Sequence, residues 1–178
     1  VTVGAGEWHT QRLLARRPTP ADLDAYEAHF RRPEIESWLR PPPLSPFDGD
    51  VVAKLLLEDC RHWEEHGFGP WVLIEKAGDE FAGRGGIAWT AIEGEPAIEL
   101  PWSIEPRLQG GGLATEAALA AAGLARSRGF AEVVALTLPT NVASQRVAEK
   151  AGFARDGECE HAGLPHLLFR MRLGASHT

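Results

Sequence analysis

The chain has 178 residues and a mass of 19.3 kDa, with 44% apolar and 24% charged residues, which suits one domain or at most two very small ones. A chain this long removes roughly 70% of its unfolded surface from water, enough for a core without disulfide staples, so a fibre, a repeat array or a membrane channel is excluded. The formal net charge of −7, from 18 Lys and Arg against 25 Asp and Glu, opposes attraction to a phosphate backbone and argues against nucleic acid as a partner.

Gln11 to Arg16 reads as a strand, stopped by Arg17-Pro18-Thr19-Pro20. Thr19 is suited to cap a helix with Pro20 at its first position and Asp22 in its first turn, running to about Phe30. Pro33 and the run Pro41-Pro42-Pro43 predict an irregular connection that shapes a groove. From Asp48 to His66 the apolar residues Val51, Val52, Leu55, Leu56, Cys60 and Trp63 recur at helical spacing, with Gly67 placed to end the helix. Strand patterns follow at Trp71 to Lys76, Phe81 to Ile92 and Ala97 to Ile104, separated by Gly78-Asp79 and Glu93-Gly94-Glu95-Pro96, and predict an antiparallel meander. Gly110-Gly111-Gly112 then opens an Ala-rich helix, Leu113 to Arg128, whose stripe of Ala114, Ala117, Ala118, Ala121 and Ala125 favours close packing. A buried-looking strand at Val133 to Leu138, a helix capped by Asn141 and ended by Gly152, and strands near Phe153 to Cys159 and His166 to Leu173 complete the pattern. The predicted order is β-α-α-β-β-β-α-β-α-β-β, a single mixed domain over residues 1–178 with no internal repeat or linker.

Cys60 and Cys159 form no Cys-x-x-Cys pair, so a reducing compartment is expected rather than a disulfide framework or zinc knuckle. No run of about 18 apolar residues offers a membrane span, and Val1 to Arg17 has no signal-peptide core. The expected location is cytoplasmic, with no membrane partner.

The segment Trp102-Ser103-Ile104-Glu105-Pro106-Arg107-Leu108-Gln109-Gly110-Gly111-Gly112-Leu113-Ala114-Thr115-Glu116 carries the most chemistry. A strand enters a glycine turn that opens a helix, and the first amides of a helix, aided by its dipole, attract anions. Glycines let the backbone close around phosphate oxygens, so a phosphate or pyrophosphate site is expected. A Walker loop would need Gly-Lys-Ser/Thr where Gly112-Leu113-Ala114 stands, and a dinucleotide fingerprint from Gly110 would need Gly or Ala at Thr115. Gly83-Arg84-Gly85-Gly86-Ile87-Ala88 matches that fingerprint by letter but lies inside a strand pattern.

Gln109, Gly112 and Ala114 match the Gln/Arg-x-x-Gly-x-Gly/Ala motif of the GNAT superfamily of N-acetyltransferases, and Asn141, Ser144, Val147, Lys150, Gly152 and Phe153 match a second motif of that family. The sequence resembles its RimJ/RimL-type branch, over about Gln11 to Leu173. The resemblance implies an α/β (α+β) fold, with a mixed, mostly antiparallel central sheet flanked by helices and a β-bulge on the motif strand. It implies acetyl-CoA as cosubstrate, no metal, a monomer or homodimer, and as acceptor a protein N-terminus or a small-molecule amine. Main-chain groups of Trp102, Ser103 and Ile104 would meet the pantetheine arm. Gln109 belongs to the motif, and amides of Gly110, Gly111, Gly112, Leu113, Ala114 and Thr115 would hold the pyrophosphate. Asn141 and Ser144 would line the other side of the cofactor.

Acetyl transfer to an amine needs a neutral nitrogen and a proton for the departing thiolate. An α-amino group, with a reference pKa of about 7.7–8.0, reaches that state more readily than lysine at about 10.4. Glu99, just before the motif residue Trp102, is the expected base. Ala148 stands where many relatives carry a tyrosine acid, and Leu136 where some carry a glutamate base, so Ser144 or a water is left to protonate the thiolate. A non-catalytic acyl-CoA sensor is the alternative. His62 and His66 lie one helical turn apart, but Trp63 occupies the place where a zincin needs Glu; His161 and His166 flank a turn that could border the acceptor.

Overall fold

The computed structural model describes residues 2–4, 6–44 and 46–174. Its elements form an α+β fold of two compact units, each with its own sheet.

The first unit comprises residues 1–84 and 103–111. Its sheet has the order β1-β2-β3-β4-β5-β8, built from Thr2–Gly4 (β1), Glu7–His9 (β2), Leu13–Arg16 (β3), Pro70–Glu75 (β4), Glu80–Gly86 (β5) and Trp102–Ile104 (β8). The strands β1 and β2 precede the first strand that the sequence pattern predicts; β2 is three residues long, too short for an alternation of apolar residues to register. Three helices follow β3: Leu23–Phe30 (α1), Pro33–Leu39 (α2) and Gly49–His66 (α3). Thr19 is the N-cap as expected, but of a short 3₁₀ turn at Pro20–Asp22 that leads into α1, and Asp22 accepts the Thr19 amide at 2.7 Å in a capping box.

The second helix, α2, corrects the irregular connection expected at Pro33. Proline at the first helical position lacks only a hydrogen bond that position never makes, so it starts the helix. The triple proline lies after the helix and does end it. Glu36 of α2 accepts the Phe47 amide at 2.8 Å and so ties the far side of this connection to α2. In α3, Asp48 accepts the Val51 amide at 2.8 Å and Gly67 ends the helix in the left-handed region, φ 68°. The buried positions Val52, Leu56, Asp59 and Trp63 follow helical spacing.

Tyr26, Phe30, Ile35, Phe47, Val52, Leu56 and Val72 form one buried cluster. Trp71 lies edge-on to both Trp8 and Trp63, with ring centroids 5.5 and 5.7 Å apart. Asp59 is buried against these apolar neighbours because Arg84 grips both its oxygens at 2.7 and 2.6 Å and the Tyr26 hydroxyl donates to it at 3.0 Å.

The second unit comprises residues 85–102 and 112–178. Its sheet has the order β10-β11-β9-β7-β6, from Ala88–Ile92 (β6), Glu95–Glu99 (β7), Glu132–Thr137 (β9), Ala154–His161 (β10) and Leu164–Arg172 (β11). The pairings are antiparallel except β7 with β9, where Glu99 lies opposite Val134. Leu113–Ser127 (α4) and Val142–Ala151 (α5) complete the unit. The expected alanine stripe is buried at Ala117, Ala118, Ala121 and Ala125.

Two expected strands are each two. Phe81 to Ile92 divides into β5 and β6 at Ile87. Ala97 to Ile104 divides into β7 and β8 at Leu100-Pro101, where proline has no amide to give a ladder. The meander is therefore partial: β6 pairs with β7, whereas β8 returns to lie beside β5. The motif strand, where a β-bulge is expected, is interrupted at this point.

Candidate functional site

The glycine turn is built as its sequence demands. Gly110 and Gly112 have φ of 78° and 83°, a region that costs any residue with a Cβ roughly 1–2 kcal/mol. Gly112 is the N-cap of α4 and has no side chain with which to accept from the amides of Leu113, Ala114 and Thr115. Those donors sit at the positive end of the helix dipole, a ready anion site. Gln109 gives its side-chain amide to the Ile104 carbonyl at 2.9 Å, and Arg12 gives a guanidinium N–H to the Gly111 carbonyl at 2.7 Å. One side chain thus ties the entry of the turn to β8, and another holds a carbonyl within the turn.

In the second unit, Asn141, Ser144 and Trp102 come together. Asn141 Oδ1 accepts the Ser144 amide at 3.0 Å and caps α5. Trp102 Nε1 donates to Ser144 Oγ at 3.1 Å, and its ring lies 6.3 Å from that of Phe153. Because an indole N–H can only donate, Ser144 Oγ is the acceptor there and its own proton points elsewhere.

Glu99 ends β7 and is partly buried, paired along the backbone with Ala88 and Val134. At His166 burial pushes the imidazole down against the upward pull of the Glu99 charge, whereas at Cys159 burial and the charges of Glu93 and Glu99 all push the thiol up. His161 and His166 face each other across the β10–β11 hairpin, ring centroids 5.7 Å apart.

In the first unit Ser103 has partners that the sequence did not point to. Its Oγ lies 2.7 Å from His29 Nε2, and His29 Nδ1 lies 2.6 Å from Glu105 Oε1. Arg32 Nε stands 3.4 Å from the other Glu105 oxygen. His29 is fully buried, and burial draws its pKa below the ordinary imidazole value against the upward pull of Glu105. The available signal was a polar residue at an inward helix position, between Tyr26 and Phe30.

The family model for the acetyltransferase (GNAT) domain matches residues 12–154. The chain belongs to the GNAT acetyltransferases. Its family is the RimJ/RimL-type one. YkkB of Bacillus subtilis (strain 168), an uncharacterized protein, is 37% identical over 93 residues, which are 52% of this chain and 54% of YkkB, so the match spans about half of that relative. The acetyltransferase of Agrobacterium tumefaciens str. C58 superposes with a TM-score of 0.80 at 23% identity, covering 97% of each chain. RimL, the ribosomal L7/L12 α-N-protein acetyltransferase solved with coenzyme A, superposes at 0.72 with 18% identity, covering 92% of this chain and 95% of that one.

Ala148, the position considered for a tyrosine acid, is fully buried, and Leu136 packs with Val134, Cys159 and Leu168. Tyr26 is committed to Asp59, and burial holds its phenol well above the usual range. His62 gives one ring nitrogen to the Phe68 carbonyl at 2.7 Å.

Proposed function

We propose that the protein is an acetyl-CoA-dependent N-acetyltransferase that moves an acetyl group to a primary amine by direct attack, without a covalent enzyme intermediate in that transfer. The observation that carries this reading is the glycine-built start of α4, which has no side-chain cap and leaves its amides for an anionic ligand. Bound acetyl-CoA supplies an activated thioester. The residues present fit it: amides of Gly110 to Thr115 for the pyrophosphate, main chain of Trp102 to Ile104 for pantetheine, and Asn141 and Ser144 on the other side. Glu99 takes the proton of the acceptor nitrogen, and Ser144, whose oxygen accepts from Trp102, gives its proton to the leaving sulfur. The acceptor is a protein N-terminal amine, as in RimL's own description, or a small amine. The expected setting is the cytoplasm, without nucleic acid or membrane, as a monomer or homodimer; no helix among the described residues is long and apolar enough to cross a membrane.

A second reading, a non-catalytic acyl-CoA sensor, is favoured by the buried Ala148 and the apolar packing of Leu136. Free-thiol release from acetyl-CoA with a panel of N-terminal peptides, polyamines, amino acids and aminoglycosides separates the two. Turnover on one class establishes the enzyme and its acceptor. Acetyl-CoA binding with silence across the panel supports the sensor.

A further inference from the structure

Ser103, His29 and Glu105 form a hydrogen-bonded chain contained within the first unit, and amine acetylation as proposed above makes no use of these three side chains. The order is hydroxyl, Nε2, Nδ1, carboxylate, with heavy-atom separations of 2.7 and 2.6 Å. With the ring neutral, Nδ1–H donates to Glu105 and Nε2 accepts the Ser103 hydroxyl proton. Glu105 thereby fixes the tautomer that makes Nε2 a base toward serine. His29 has no exposed surface in the resting chain, so a leaving group or water reaches Nε2 only from the side of the half-buried Ser103 that it bonds.

The backbone of Ser103 is confined as well. At Gly83 of β5, φ is 143° and a Cβ would lie 2.0 Å from the Ser103 carbonyl oxygen, so only glycine lets β5 approach β8 there. One residue thus meets a bare backbone at its carbonyl and a buried imidazole at its hydroxyl. A hydroxyl in that state has a located oxygen, a base in hydrogen-bond reach and an acid behind the base, the requirements for an activated nucleophile.

We propose that Ser103 is a nucleophilic serine that accepts acyl groups from thioesters and activated esters and passes them to water, an activity separate from amine acetylation. Ser103 Oγ attacks the carbonyl carbon as its proton moves to His29 Nε2. The bond from carbon to sulfur or oxygen breaks, and the departing thiolate or alkoxide takes that proton. Water then attacks the acyl-serine and gives a proton to Nε2. The bond from carbon to Oγ breaks, Oγ recovers the proton, and a carboxylic acid leaves. Glu105 is a positioning residue that acts through His29, and Arg32 holds its second oxygen.

The test needs no coenzyme and stands apart from the acetyl-CoA reading. The full chain is treated with a fluorophosphonate probe, labelled serines are located by peptide mass spectrometry, and p-nitrophenyl acetate hydrolysis is followed from pH 5.5 to 8.5. The expected result is phosphonylation at Ser103, absent in Ser103→Ala, with a rate that rises with pH as His29 loses its proton. Glu105→Gln should slow labelling by about 10²–10⁴-fold, and His29→Gln should abolish the pH dependence. Circular dichroism checks that each variant is folded; should His29→Gln fail that check, Glu105→Gln and the wild-type pH profile decide. An unlabelled Ser103 in the wild type, or equal rates in wild type and Glu105→Gln, overturns the proposal.

Discussion

Asn141→Ala separates the two jobs given to Asn141. The substitution removes the Oδ1 atom that accepts the Ser144 amide at 3.0 Å at the start of α5, leaving that donor without its cap. Loss of a cap of this kind costs about 1 kcal/mol, within a range of roughly 0.5–2. For a chain of this length each kcal/mol lowers the melting temperature by about 2–4 °C, so the ligand-free variant should melt roughly 2–4 °C below wild type.

Coenzyme A makes the second job measurable. At about 100 times its Kd, a ligand adds about 2.7 kcal/mol to apparent stability, or about 5–11 °C here. If Asn141 also lines the cofactor and its loss weakens binding tenfold, the same concentration adds only about 1.4 kcal/mol, and the shift falls by about half. Asn141→Ser supplies the discriminating control, because serine caps about as well as asparagine but lacks the carboxamide. It should regain the ligand-free melting temperature while keeping the reduced response to coenzyme A. Differential scanning fluorimetry at one fixed coenzyme A concentration reads all six values. An unshifted ligand-free Asn141→Ala would refute the capping argument, and a full coenzyme A shift in both variants would remove Asn141 from the cofactor site.

Gly112→Asp places a carboxylate and a Cβ at a residue with φ 83°; calorimetric titration should show coenzyme A affinity at least tenfold lower, by an estimate of about 1.4 kcal/mol for charge and strain together, and unchanged affinity would move the pyrophosphate elsewhere. Glu99→Gln keeps the shape of the side chain and removes the base, so kcat/KM for an amine acceptor should fall about 10²–10⁴-fold with coenzyme A affinity retained; full turnover would show that another group takes the proton. Arg84→Met strips the bidentate partner from Asp59, whose side chain is only 5% exposed; urea unfolding should register a loss of about 3–5 kcal/mol, and a loss under 1 kcal/mol would mean that Tyr26 alone satisfies the carboxylate. His29 sets a pH dependence: burial lowers its folded-state pKa below 6.5, so the unfolded chain binds the proton more tightly. The stability it contributes is whole above pH 6.5 and is lost as pH falls below that, and His29→Gln should flatten the fall in urea midpoint between pH 7 and 5.5. Equal slopes in wild type and variant would refute this.

What the sequence made legible is what repeats or what only one residue type can do. The helix α3 was readable from its apolar spacing and from Gly67, and α4 from its alanine stripe, because burial along a helix leaves a period in the chain. Gly112 and Asn141 were readable because a left-handed N-cap and an Asx cap admit few residues. The strand break at Leu100-Pro101 was visible as a proline, yet the return of β8 to β5 is a long-range choice that no local pattern contains. The sequence pattern does not announce α2, because proline reads as a breaker even at the one helical position where it costs nothing. Asp59 and His29 were missed for a common reason. Each sits on an inward helical position that a hydrophobic pattern reserves for apolar residues, and each is tolerable only because a partner distant in sequence, Arg84 or Glu105, meets it there.

In the proposed cofactor site the motif side chains are bonded to the protein itself. Gln109 spends a side-chain N–H on the Ile104 carbonyl, Arg12 spends one on Gly111, Asn141 spends its oxygen on the Ser144 amide, and Trp102 spends its N–H on the Ser144 hydroxyl. These bonds fix backbone and hydroxyl positions, and they leave the main-chain amides at the start of α4 as the donors for an anion. Main-chain donors held by a rigid turn need no ordering when the ligand binds, so the conformational cost falls on the protein's folding instead. A substitution at Gln109 or Arg12 should therefore act on cofactor affinity by loosening the turn, and its effect should be accompanied by faster amide exchange in Gly110 to Thr115. A side chain that met the phosphates directly would lower affinity without that change in exchange.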